Sequence, residues 1–160
     1  MPFFVLLLLF FCSSLGLVRG FIKGIHIDGS DQTWRAADDR ILFWHGTNFV
    51  EKSFPYYPEA LVDPDSLSES ISTMKHMGWN VVRLGVMIGG TFPTPDGALN
   101  STYLDVIENI VENLAKSNVA VILDFHQDVF SPALCGEGVP SWMVNSSKLN
   151  CLPFPIPLVR

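Results

Sequence analysis

The polar residues that could do chemistry in this 160-residue chain collect at the ends of apolar runs. Val121, Ile122 and Leu123 read as a buried strand, and Asp124, His126, Gln127 and Asp128 follow where more apolar residues would be expected. Side chains two apart on a strand leave from one face, so His126 and Asp128 stand side by side. An imidazole next to a carboxylate offers a donor and an acceptor to a molecule rich in hydroxyls. The same pair could supply two ligands to a metal, but the other histidines within reach, His26 and His76, read as parts of a hairpin and a helix end, so the ligand count disfavours a metal. Arg83 is the one charge inside a second apolar run, "VVRLGVM". A guanidinium taken out of water needs a carboxylate partner. Either a catalytic carboxylate, which Arg83 would hold ionised, or Asp124 fits that role. His45 and Asn48 close a third run, Ile41 to Trp44, and His45 reads equally well as an ordinary histidine hydrogen-bonded near a sheet.

Positioning these groups requires a particular order of elements. Ile22, Ile25 and Ile27 lead into Asp28-Gly29, and Ile41 to Trp44 resume beyond it, which predicts a β-hairpin whose second arm runs into the first core strand. Pro55, Pro58 and Pro64 then predict a loop. Ser66 and Glu69 match a capping box, and Leu67, Ile71, Met74 and Met77 recur at helical spacing until Gly78. A strand follows over "WNVVRLGVMIGG", then a loop with Pro93, Pro95 and Gly97. Leu104, Ile107, Ile110, Val111 and Leu114 predict a second helix, capped by Ser101 or Thr102. The third core strand is "NVAVILDF".

Strand, helix, strand, helix, strand with nearly continuous apolar strands predicts an α/β fold in which a parallel sheet is buried on both faces. No G-x-G-x-x-G follows the first strand, and Gly89-Gly90 precedes a Pro-rich loop, so a (β/α)8 TIM barrel is favoured over a nucleotide-binding doubly wound sheet. Nothing in the sequence calls for a cofactor. A barrel takes about 250 residues and builds its site at the carboxyl ends of its strands, where His126 and Asp128 fall. The chain is therefore expected to be the truncated N-terminal part of a barrel: its first three strands and two helices, preceded by the hairpin.

Composition sets the context. With 48% hydrophobic and 16% charged residues the chain has the makings of a core, and a formal charge of -6 with no basic run argues against a nucleic-acid partner. Phe3 to Phe11 form an apolar run too short to span a bilayer, followed by Ser13, Ser14, Gly16 and Gly20. This predicts a signal peptide over residues 1–20, cleaved after Gly16 or Gly20, and residues 21–160 as the mature part. A membrane anchor is the alternative. On a secretory route Cys135 and Cys151 are expected to pair, and Asn100 and Asn145 begin glycosylation sequons.

"LFWHGTNFVEKSFPYYP" (42–58), "VVRLGV" (81–86), "VILDFHQDVFS" (121–131), "CGEGVPSWMV" (135–144) and "PFPIP" (153–157) together resemble the endoglycoceramidases of glycoside hydrolase family 5. Family 5 as a whole would account only for Arg83 and His126; the longer blocks carry the narrower likeness. The resemblance implies a retaining hydrolase, secreted or lysosomal, that cleaves the oligosaccharide–ceramide bond of glycosphingolipids with two glutamates about 5 Å apart. It places the acid/base after an asparagine at the end of a fourth strand and the nucleophile at the end of a seventh. Neither is expected in these residues, since Glu108-Asn109 and Glu112-Asn113 are reversed and helical. What it implies here is supporting roles: Arg83 and His126 around the catalytic pair, with Lys52, His126 and Asp128 contacting substrate. Glu137, between two glycines, reads as a loop residue and not a catalyst, and Trp142 as either a cleft wall or core. The implied partner is a glycosphingolipid, met at a membrane surface through its lipid, with no protein partner. A family 5 glycanase acting on polysaccharide and a non-catalytic, truncated glycolipid-binding product are the alternatives.

Overall fold

The computed structural model describes residues 25–134 and 136–145. The expected signal peptide, Ile22, the pairing of Cys135 with Cys151 and the "PFPIP" stretch lie outside them. A short antiparallel ribbon comes first, β1 (His26–Ile27) against β2 (Trp34–Arg35). The expected second arm, Ile41 to Trp44, is displaced. The turn is closed by Asp28 and Thr33, so Trp34 and Arg35 meet the first arm, and Ile41 makes only an isolated bridge to Arg35. Arg35 holds the ribbon together, with Asp28 at 3.0 Å and Asp31 at 2.7 Å.

The core follows the expected order, β3 (Gly46–Phe49), α1 (Pro64–His76), β4 (Val81–Met87), α2 (Ser101–Lys116) and β5 (Ala120–His126), as a parallel sheet ordered β3-β4-β5. The first core strand is thus "GTNF" and not the apolar "ILFW". Both helices begin earlier than predicted. The cap of α1 is Asp63, whose carboxylate accepts the Ser66 N–H at 2.9 Å, with Pro64 opening the helix where its missing N–H costs nothing. The cap of α2 is Asn100, accepting from the Tyr103 N–H at 3.2 Å. No helix among the described residues is long and apolar enough to cross a membrane.

Alternation along each strand divides the sheet's two faces. Val82, Leu84 and Val86 of β4 are buried in one cluster with Met74 of α1 and Ile107, Ile110 and Leu114 of α2. The other face carries Asn48, Arg83 and Ile122 in one register row, and Gly85 beside Asp124 in the next. Burial on both faces holds for β4 alone. On β5 only Ala120 is buried, leaving Leu123 and Phe125 at 38% and 40% exposure.

Candidate active site

The open face of β5 carries a continuous row of charge. Asp124, His126 and Asp128 leave the strand and its extension on the same side, and each finds the next. Asp124 Oδ2 accepts from Arg83 Nη2 at 2.7 Å and lies 2.9 Å from His126 Nδ1. His126 Nε2 faces Asp128 Oδ2 at 3.2 Å, and Asp128 Oδ2 accepts in turn from Lys52 Nζ, which also stands 3.4 Å from Glu137 Oε2. Arg83, Asp124, His126, Asp128, Lys52 and Glu137 form one chain of contacts across β4, β5 and two loops. Of the two partners open to Arg83, the structure gives it Asp124. The guanidinium side chain is 42% exposed, so it is not the desolvated charge the apolar run suggests.

Two carboxylates fix the orientation of the His126 ring, Asp124 on Nδ1 and Asp128 on Nε2. Asp128 is held below its ordinary value of 3.8, first by the hydrogen bond from Lys52. Lys52 is held above 10.5, first by the same bond. Nitrogen-bearing and carboxylate groups alternate along the row: imidazole, carboxylate, ammonium, carboxylate. That arrangement suits a ligand carrying several adjacent hydroxyls, each of which both donates and accepts.

Two loops bring Lys52 and Glu137 to the strand ends. The loop after β3 is braced by Tyr103 of α2, a buried residue whose hydroxyl accepts the Met87 N–H at 3.0 Å and donates to the Tyr56 carbonyl at 3.1 Å. Burial pushes that phenol up to about 12, so it stays protonated and able to do both. Glu137 is locked to Asp128 by a pair of backbone hydrogen bonds, Asp128 N–H to Glu137 O at 2.7 Å and Glu137 N–H to Asp128 O at 2.8 Å. Its flanking glycines are a steric requirement. A Cβ on Gly136 would stand 2.2 Å from the Asp128 carbonyl, and one on Gly138 2.5 Å from the Gln127 Cβ.

The structure thus unites Lys52, Arg83, His126 and Asp128. His45 is excluded by position: it precedes β3, at the opposite end of the sheet, where its backbone pairs with Asn80. Asn48 lies on the open face beside Arg83, below the row. Trp142, at 37% exposure, belongs neither to the core nor to the cavity beside Lys52. Sequence reading gave Tyr103 no role and left Glu137 outside the site. Its place in the loop agrees with that reading, but the contact with Lys52, 85 residues away, carries no local signal. Asn100 caps α2 and Asn145 is exposed.

A parallel α/β sheet with helices over one face and polar groups gathered at the carboxyl ends of its strands places the chain in the (β/α) class of folds. The profile described as Cellulase (glycosyl hydrolase family 5) matches residues 43–150, and the chain belongs to that family. An endoglycoceramidase of Hydra vulgaris is 42% identical over 119 residues, 73% of this chain and 23% of that protein. The structure of endo-glycoceramidase II from Rhodococcus sp. with a five-membered iminocyclitol superposes with a TM-score of 0.58 at 29% identity, over 76% of this chain and 28% of the other. Its ganglioside GM3 complex gives 0.57 at 27% identity, covering 76% and 29%. The chain spans about a quarter of the length of the curated relative it matches.

Proposed function

We propose that these residues form the amino-terminal part of the (β/α)8 domain of a retaining glycosidase that hydrolyses the oligosaccharide–ceramide linkage of glycosphingolipids. The observation that carries this reading is the row from Arg83 to Lys52 on the open side of the strand ends. The relatives named endoglycoceramidase, one of them bound to ganglioside GM3, support the choice of substrate.

In this reading β3, β4 and β5 are the first three barrel strands. His126 Nε2, the Asp128 carboxylate and the Lys52 ammonium bind hydroxyls of the sugar next to the bond that is cleaved. Arg83 and Asp124 act as a pair beneath them: Arg83 keeps Asp124 in place, Asp124 keeps the His126 ring in place, and the remaining Arg83 donors face the position of the nucleophile. The acid/base and nucleophile are glutamates on later strands, about 5 Å apart. These 160 residues by themselves therefore bind sugar and cleave nothing. Secretory or lysosomal routing is part of the same proposal, supported by the Phe3 to Phe11 run and the two sequons.

Phosphatidylcholine vesicles with and without ganglioside test the substrate class. The chain should sediment with the ganglioside-bearing vesicles alone, and Asp128→Asn should abolish that. Retention on amorphous cellulose with no preference for ganglioside would establish instead the polysaccharide reading, which the family's own description favours. Release of oligosaccharide from a fluorescent ganglioside above a boiled control would overturn the claim that these residues do not cleave.

A further inference from the structure

The sequon Asn100-Ser101-Thr102 has no part in the polar row, and the fold sets it at the start of α2 with Asn100 as the cap. Three hydrogen bonds hold that residue. Its N–H donates to the Thr91 carbonyl at 3.0 Å, its carbonyl accepts the Leu104 N–H at 3.1 Å, and its side-chain Oδ1 accepts the Tyr103 N–H at 3.2 Å. The cap thus uses only the oxygen of the side-chain amide. Nδ2, the atom to which a glycan is attached, makes no hydrogen bond among the described residues. Ser101 and Thr102 beside it are exposed. Asn100 also lines a groove of about 250 Å³ between the start of α2 and the loops after β3 and β4. Its other walls are mostly apolar, among them Tyr57, Pro93, Tyr103 and Val106, with the Tyr57 and Tyr103 ring centroids 6.4 Å apart. An aromatic-walled groove with a free amide nitrogen in its lining matches an N-acetylglucosamine, which has a face of C–H bonds and an acetamido methyl.

We propose that Asn100 carries an N-linked glycan and that its innermost N-acetylglucosamine lies in this groove. In the transfer Nδ2 loses one proton and forms a bond to C1 of an oligosaccharide carried on a lipid pyrophosphate. The C1–O bond breaks, and the lipid pyrophosphate leaves with its electron pair. The product is a secondary amide whose Oδ1 still accepts the Tyr103 N–H, so the modification leaves the cap of α2 intact. A sugar tethered at the groove it fills docks without the entropy loss of a free ligand. It covers aromatic surface between α2 and the loop after β3, and so adds to the stability of the folded chain. This rests on the secretory routing proposed above.

Expression of the 160-residue chain in kifunensine-treated mammalian cells, with peptide mapping after peptide N-glycosidase, tests it, since that enzyme leaves aspartate where a glycan stood. Asn100 should be converted in the wild type and in Thr102→Ser, and not in Thr102→Ala. A glycan at Asn145 with none at Asn100 would overturn the proposal and leave the secretory reading standing; none at either would sink both. The groove is tested in Ser147→Ala, which removes the second sequon. Trimming that protein to a single N-acetylglucosamine with an endoglycosidase should leave its urea midpoint within about 0.1 M, whereas adding Asn100→Asp, which keeps a capping oxygen and has no acceptor nitrogen, should lower it by about 0.5 M. Equal midpoints for the trimmed and Asn100→Asp proteins would overturn the docking of the sugar. Should Asn100→Asp fail to fold, Thr102→Ala supplies the unglycosylated comparison.

Discussion

β4 and β5 are both seven-residue strands, paired to each other along their full length and rich in the same residue types, yet β4 is buried at six positions and β5 at one. The difference lies in their neighbours. β4 has a strand on each side and α1 and α2 over one face, whereas β5 is an edge whose Leu123 and Phe125 meet water among the described residues. An apolar edge of this kind is a liability that proteins ordinarily cover. Under the function proposed here the cover is the next barrel strand. β5 also carries most of the polar row: Asp124, His126 and Asp128 leave one side of it and its extension, Asp128 half exposed and His126 only 11% exposed.

The largest effects should separate the two strands. Leu84→Ala removes a fully buried side chain from the cluster under α1 and α2 and should cost about 3 kcal/mol in urea unfolding of the chain. Leu123→Ala, the equivalent truncation in the paired row of β5, should cost less than about 1 kcal/mol. Equal losses would break the contrast. Tyr103→Phe comes next. It leaves the Met87 N–H without its acceptor and frees the Tyr56 carbonyl, for a loss of about 1.5 kcal/mol in the same experiment. It should also loosen the Lys52 loop, seen as faster amide exchange at Tyr56.

The smallest effect sharpens the polar side of the comparison. A lowered carboxylate contributes above its ordinary 3.8 and is lost as pH falls through its folded value; a raised ammonium contributes below 10.5 and is lost as pH rises past its own. The Lys52–Asp128 contact should therefore be complete between those two values. Both groups are open to solvent, so its weight in stability is slight. The Asp128 carboxyl carbon shift should titrate below 3.8, and Lys52→Met should move that titration up toward it. An unchanged titration would mean that Lys52 does not hold Asp128.

Much of this was legible before the fold. The runs at Val81 and Val121 located β4 and β5, and their alternation put His126 and Asp128 on one face, because strand geometry is local. The helix starts were less legible. Pro64 read as a breaker, although a proline at the first helical position gives up nothing, and the pairs Asp63 to Ser66 and Asn100 to Tyr103 outcompeted the serine and threonine caps. His45 was assigned to the wrong end of its strand because "ILFW" has the stronger strand propensity, while pairing with Val81 begins only at Gly46. Of Glu137 only its place in a loop was legible, and of Tyr103 no role at all. Their roles depend on contacts between segments far apart in sequence, which only the assembled sheet brings together.

The central claim is that the row on β5 is the sugar-binding part of a glycosidase site, and amide shift mapping during a lactose titration tests it most directly. Saturable shifts should concentrate at Lys52, His126 and Asp128 and leave the His26 to Arg35 ribbon unchanged. Shifts centred on the ribbon or on the outer faces of α1 and α2, or none that saturate, would contradict it.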